Sequence, residues 1–357
     1  MKKTVILLFI ISVFGCSDAN KSGNTLLALS GGQLAEIVVI TDKQNLDSTF
    51  KLAVENILGE GKLLEGLPPP GEATFDILFT DETFFKGYFK THHNIIVMLT
   101  LDNLTKMEKT FGANNRNQVE TIINSQSDAL GIKKKNIWAS NQNVFYVTAK
   151  DREDLLSKID EKKEELLNLA IESELKTGSR KLFTTKLKSD SFYHQSLRNS
   201  GYTVRKPKSY RIAKSKQNFK WLRKSSNTKE QQFDIVLFDI PKNEVGSMDV
   251  GSLIYARNQF LKSRIPGPSK GSYMSYSNKL PPVSKGILHK KKQGYEIRGW
   301  WDVANDWMGG PSVIRVFNDE KNDRVIFAEG FLYYPNENKA KKLRQLELIL
   351  NSLRING

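Results

Sequence analysis

"SVIRVFNDEKNDRVIFAEGFLYY", residues 312–334, decides the fold class. Two runs rich in Val, Ile, Phe and Tyr flank Asn318, Asp319, Asn322 and Asp323, residue types that favour turns. The reading is a pair of antiparallel strands joined by a polar turn. Just before it, "GYEIRGWWDV" (294–303) supplies a third strand. Just after it, Leu343, Leu346, Leu350 and Leu353 recur at helical spacing and predict a C-terminal helix that starts near Asn336.

Further upstream, "FDIVLFDI" (233–240) reads as a buried strand. "GYTVRKPKSYRI" (201–212) and "NFKWLRKS" (218–225) alternate like two more. A helix from about Val250 to Ser263 places Leu253, Arg257 and Phe260 along one stripe. The order of strands, helix, long loop, strands and final helix is α+β, and its pattern is similar to PsbP and Mog-one-like sandwiches.

The first half repeats the mixture. "AEIVVITD" (35–42), "TFDILFTD" (74–81) and "NIIVMLTL" (94–101) read as strands, and Phe50, Val54, Ile57 and Leu58 lie on one side of a helix. "GLPPPGE" (66–72) is a rigid loop. Short helices are expected around Phe84 to Phe89 and from Gln118 to Leu130, and a hairpin between "NIWAS" (136–140) and "VFYVTA" (144–149). Asp151 caps a long helix bearing Leu155, Ile159, Leu166 and Ala170. Two α+β domains follow, residues 25–175 and 193–357, each expected to be a mostly antiparallel sheet packed with helices and joined by a linker at 176–192.

The N-terminus speaks to location. Lys2 and Lys3 precede an apolar run from Val5 to Phe14, interrupted only by Ser12. A membrane span needs about 20 apolar residues, so this run reads as a secretory signal over residues 1–15. "VFGC" ends on Cys16, the only cysteine of the chain, and resembles a bacterial lipobox, so the expectation is cleavage before Cys16 and acylation of that residue. One acyl chain anchors weakly, whereas two or three hold a protein on the bilayer. Residues 16–24 then form a polar tether. The expected location is the cell envelope, anchored in the outer membrane and facing the periplasm.

The 357 residues hold 54 Lys and Arg against 39 Asp and Glu, a net charge of +15. Of the eleven Lys and Arg between Ser191 and Lys229, a stretch with no acidic residue, we single out Arg205, Lys206, Lys208, Arg211, Lys220 and Arg223 as a candidate basic patch. Behind a signal peptide, anionic lipid or acidic glycan is the expected counter-charge and nucleic acid is not; alternating strands with lysines guarding an edge also explain the pattern. The long loop from Pro266 to Gly286 carries Tyr273, Met274 and Tyr276, a candidate binding surface or a packed segment. Trp300, Trp301 and Trp307 beside Asp302 and Asp306 form a candidate sugar-stacking cluster, although strand alternation buries one of the adjacent tryptophans.

Several stretches together, "KTHHNIIVM" (90–98), "PGPSKGSYM" (266–274), "RGWWDVANDWMGGP" (298–311), "EGFLYYP" (329–335) and "RQLELIL" (344–350), resemble a family of uncharacterised Bacteroidota-type cell-envelope lipoproteins, catalogued as a domain of unknown function. The resemblance implies an envelope lipoprotein and supplies no catalytic residue. No HExxH, GxSxG, Walker or GxGxxG pattern occurs. The adjacent His92 and His93 are expected on opposite faces of a strand, with no metal and no cofactor. The expected function is a non-catalytic binding or scaffolding lipoprotein, tethered to the membrane and engaging an envelope protein; the alternatives are a glycan- or anionic-lipid-binding accessory protein, or a hydrolase using a carboxylate pair such as Asp302 with Asp306 or Glu296 with Glu329.

Overall fold

A computed structural model describes residues 27–60, 63–111, 131–184, 186–225 and 231–356, with isolated positions between 117 and 124. Cys16, the signal and the tether lie outside the described residues, as does most of the helix expected between Gln118 and Leu130.

Both halves mix helix and sheet, so the α+β class stands. The first half contains β1 (Glu36–Thr41), α1 (Ser48–Val54), β2 (Asp76–Asp81), α2 (Tyr88–Thr91), β3 (Asn94–Thr100), α3 (Leu104–Phe111), β4 (Gly131–Lys135), β5 (Asn143–Ala149) and α4 (Arg152–Leu182). Its sheet runs β2-β1-β3-β5-β4. The expected antiparallel sheet is corrected here: β1 is parallel to β2 and β3, β3 is parallel to β5, and only β4 runs antiparallel. Parallel neighbours need crossovers, and α1 and other segments between the strands supply them. The sheet is consequently covered on both faces. Ile37, Val39, Ile96 and Met98 meet α1 and α4, while Val38, Ile40, Ile95 and Val97 meet Phe85, Leu104 and Met107. Unbroken apolar runs such as "NIIVMLT" are the signature of such strands.

The second hairpin partner also differs from expectation. β5 pairs with residues 131–135, and "NIWAS" forms the connection, with Asn136 and Asn141 at positive φ. The long helix begins as expected, Asp151 accepting from the Asp154 amide at 2.9 Å, but continues through residues 176–182. Gly178 lies inside it where a Cβ would stand 2.9 Å from Leu348 and 3.1 Å from Leu34. That glycine permits close packing and ends nothing.

The second half contains α5 (Ser191–Ser200), β6 (Tyr202–Thr203), β7 (Arg211–Lys216), β8 (Phe219–Ser225), β9 (Gln232–Pro241), α6 (Lys242–Val245), α7 (Val250–Lys262), β10 (Tyr273–Tyr276), β11 (Val283–His289), β12 (Lys292–Ala304), β13 (Gly309–Asp319), β14 (Arg324–Tyr333), α8 (Ala340–Asn351) and β15 (Arg354–Ile355). Strands pair antiparallel in the order β10-β12-β13-β14-β9-β8-β7, with β11 added along β12. The opening stretch folds as read, from Asp319 opposite Arg324 to Ser312 opposite Phe331. Ile314, Val316, Val325 and Phe327 face α7, and Val313, Phe317, Ile326 and Leu332 face α8. The core on the α8 side is continuous with that around α4, so one apolar cluster joins both halves. Among the described residues no helix is long and apolar enough to cross a membrane.

Candidate functional site

α5 fills part of the stretch expected to be linker. Asp190 caps it by accepting from the Tyr193 amide at 3.0 Å, and Gly201 ends it with φ of 77°. Residues three and four apart share a helix face, so Phe192, Gln195, Ser196 and Asn199 point the same way. Opposite that face runs the β7–β8 hairpin, whose register shifts between Ile212 and Lys214. Bulges of this kind twist an edge strand out of line. The two walls enclose a cleft of about 700 Å³, lined by Phe192, Gln195, Ser196, Asn199 and Ser200 on one side and Ile212, Ser215, Lys216, Gln217 and Lys220 on the other. Six of these ten carry an amide or hydroxyl, two are lysines and none is acidic.

Lys220 forms the floor and is only 2% exposed. Its ammonium donates to Ser200 Oγ and to the Gln217 carbonyl at 3.2 Å, and lies 4.9 Å from the centre of the Tyr202 ring. Ser200 Oγ in turn donates to the Gln217 carbonyl at 2.5 Å. Burial pushes the Lys220 pKa down to about 8, with Asp239 opposing and Arg324 reinforcing the shift. Behind the lysine, Tyr202 donates to Asp239 at 2.6 Å and Arg324 lies 3.7 Å from the same carboxylate. Burial, followed by Asp239, raises the Tyr202 phenol far above its ordinary range.

A second polar assembly lies where the two halves meet. His93 Nδ1 faces the Gly31 carbonyl at 2.9 Å and its Nε2 faces Glu174 at 3.0 Å. His92 stacks on the His93 ring with centroids 4.5 Å apart and stands 3.5 Å from Glu36. Burial lowers the His92 pKa. Glu174 also meets Arg344 at 3.1 Å, and the chain of charges continues from Arg344 to Glu347, Arg298, Glu296 and Arg315 at 2.7–3.2 Å per step. Lys341 bridges Glu36 and Asp76 at 2.8 and 3.0 Å. Such alternating buried charges fix a geometry rather than offer a free ligand position. The expectation that the two histidines diverge is corrected: His92 caps α2 ahead of β3, so strand alternation does not govern it.

The sequence-derived candidates separate. Met274 and Tyr276 are core residues, because β10 pairs with the far end of β12 and joins the loop to the sheet. Tyr273 is half-buried beneath the Lys262 ammonium. The stretch 266–286 thus holds β10, the first residues of β11 and the short connections beside them. Trp301 is buried and donates to the Leu332 carbonyl at 3.1 Å, Trp300 and Asp302 are half-buried, and Trp307 is fully exposed. The three tryptophans share no common face. Asp306 accepts from the Ser269 hydroxyl and, at 2.7 Å, from the Trp307 amide.

The basic patch is likewise divided. Arg223 pairs with Asp234 at 2.8 Å, Arg205 covers the Phe183 ring at 4.5 Å, Lys206 donates to the Tyr210 carbonyl at 3.0 Å, and Lys208 and Arg211 face solvent. Only Lys220 enters the cleft. The imagined carboxylate pair Glu296 and Glu329 is split between opposite faces of the sheet, Glu296 bound to Arg298 and Arg315 and Glu329 to Arg257 and Ser312. Among the described residues no group of three or more His, Cys, Asp and Glu side chains is arranged to hold a metal.

The sequence reading assigns no element to residues 193–200 and so does not find the cleft wall, although Asp190 and Gly201 are ordinary helix-end signals. With both halves laid out, comparison with known families gives one match for each. Two domains of unknown function lie in tandem. Residues 30–183 match the domain of unknown function DUF8532, and residues 189–352 match DUF4837, which holds the cleft. No curated protein matches the chain. Among solved structures, a point mutant of protein Mog1 is similar at 9% identity and TM-score 0.30, over 43% of this chain and 90% of that one. The Saccharomyces cerevisiae Ran-binding protein Mog1p is similar at 9% identity and TM-score 0.28, with the same coverage.

Proposed function

We propose that this chain is a membrane-tethered, non-catalytic binding protein of the cell envelope that takes a hydroxyl-rich ligand, a glycan, in the DUF4837 cleft. The observation that carries the reading is the lining itself. Gln195, Asn199 and Gln217 offer amides that donate and accept at once, Ser196, Ser200 and Ser215 add hydroxyls, and Phe192 with Ile212 supplies apolar surface for the carbon face of a sugar ring. None of the lining residues is a carboxylic acid, the group that glycoside hydrolysis uses in pairs. Lys2 and Lys3, the apolar run that leads into "VFGC" and the lone Cys16 support the tether, and the resemblance to Bacteroidota-type lipoproteins supports a place in the cell envelope.

Trp307 favours a second reading, in which the same body also docks an envelope protein. Its indole is fully exposed on a turn pinned by Asp306, and exposed tryptophans are frequent anchors of interfaces.

Both parts are testable with one set of variants. Detergent-extracted protein should be retained by immobilised glycans, and the double variant Q195A/N199A should weaken that retention at least tenfold. Equal retention of wild type and double variant refutes the cleft. Cys16→Ala should lose the acyl mass of the mature protein and leave the membrane pellet, and an unchanged sedimentation refutes the tether.

A further inference from the structure

We propose that the cleft contains an anionic subsite centred on the Lys220 ammonium, so that its ligand is a polyhydroxylated molecule bearing a carboxylate or a phosphate. This rests on the cleft reading above and narrows its ligand class.

The first observation is how Lys220 is held. Its residue is 98% buried yet forms part of the cleft lining, and its near partners, Ser200 Oγ, the Gln217 carbonyl and the Tyr202 ring, are all neutral. Asp239, whose field reaches the lysine, is itself engaged by Tyr202 and Arg324. A charge removed from water and held by neutral groups is disfavoured, and the depressed Lys220 pKa, about 8, is the consequence. An arriving anion relieves that penalty.

The second observation is the sign of the surroundings. The lining holds Lys216 and Lys220 and no carboxylate. The charged and titratable groups that bear on Lys220 are Tyr202 of β6, Asp239 of β9 and Arg324 of β14, with Asp319 behind Arg324 at 2.8 Å and Lys216 on the same β7–β8 wall. The third concerns the carbonyl end of α5, which would repel an anion. It is covered: Ser200 O accepts from Arg324 Nη2 at 2.9 Å, and Gly201 O accepts from the Asn356 amide at 2.7 Å.

Calorimetric titration of the detergent-solubilised full chain with glucose, glucuronate, glucose 6-phosphate and inorganic phosphate tests the inference. At pH 7 the two acidic sugars should bind at least tenfold more tightly than glucose. Lys220→Met should erase that difference, so that the three sugars bind the variant with one common affinity. On the wild type alone, glucuronate affinity should fall as pH rises from 7 to 9.5, because the ammonium loses its proton while the ligand carboxylate stays ionised, and glucose affinity should stay level. Equal affinity for glucuronate and glucose, or a flat pH series, overturns the anionic subsite and leaves the cleft reading standing. Binding of none of the three sugars overturns the cleft reading itself. Inorganic phosphate binding as tightly as glucose 6-phosphate overturns the assigned ligand class, since the hydroxyls then contribute nothing.

Discussion

Replacing Arg257 by Met should destabilise the second half by about 3–5 kcal/mol, the range for leaving a buried charge without its partner. Arg257 and Glu329 are both fully buried, joined by two parallel hydrogen bonds of 2.9 and 2.7 Å between α7 and β14. Ser312 adds a donor to the carboxylate at 2.8 Å and Asn258 accepts from Arg257 at 2.8 Å. Charge-assisted hydrogen bonds contribute about 1.5–3 kcal/mol each. The two that Arg257 makes to Glu329 therefore sum to about 3–6 kcal/mol, which agrees with the range above, and the orphaned carboxylate bears most of the loss. The double variant R257M/E329M removes both charges and fills similar volume, so it should return to within about 1–2 kcal/mol of wild type. Urea unfolding followed by tryptophan emission reads this domain well, since Trp221, Trp300, Trp301 and Trp307 all lie within it and only Trp138 lies elsewhere. A loss below about 1 kcal/mol for R257M, or a double variant as unstable as the sum of the single changes, refutes the reasoning.

Acid should act through Glu296. Burial raises its pKa, but Arg298, Arg315 and Lys285 together hold it down at about 2, against an ordinary value of 4.5. A depressed carboxylate contributes stability above its unfolded pKa and loses it as pH falls towards the folded one. Between pH 4.5 and 2 the wild type should lose up to about 3 kcal/mol through this group. Thermal melts in which Glu296→Gln keeps the same acid slope would exclude it. At the end of α5, Gly201→Ala forces a side chain into φ of 77° and should cost about 1–2 kcal/mol, lowering the melting temperature and loosening the cleft wall; an unchanged melt would mean that the helix end adapts freely.

Local patterns reach a definite distance into this molecule. Alternation and turn residues specify β12, β13 and β14 and the register between β13 and β14, and leucine spacing specifies the buried face of α8, because each depends on neighbours a few residues apart. The burial of one of Trp300 and Trp301 follows from the same parity, and Trp301 is the buried one. Asp151 and Asp190 mark helix starts by the same short-range logic, although only the first was read that way. Strand direction in the first half lies beyond this reach: a buried apolar run has the same composition whether its neighbour runs with it or against it. Packing also decided that Gly178 continues a helix, since the reason is Leu348, 170 positions away in the chain.

The candidate site shows the same division. The basic residues after Ser191 are visible in the sequence, but their charges meet different fates, Arg223 neutralised by Asp234, Arg205 lying over Phe183, and Lys220 carried to the floor of a cleft. What the chain states by itself is which residues are apolar, charged or turn-forming and how they repeat, and from that come the α+β class, most of its elements and the expectation of a tether at Cys16. What only the tertiary structure decided is which charge meets a partner and which is left facing a cavity. Pairing energies depend on distance and burial between segments far apart in sequence, and no local period encodes those.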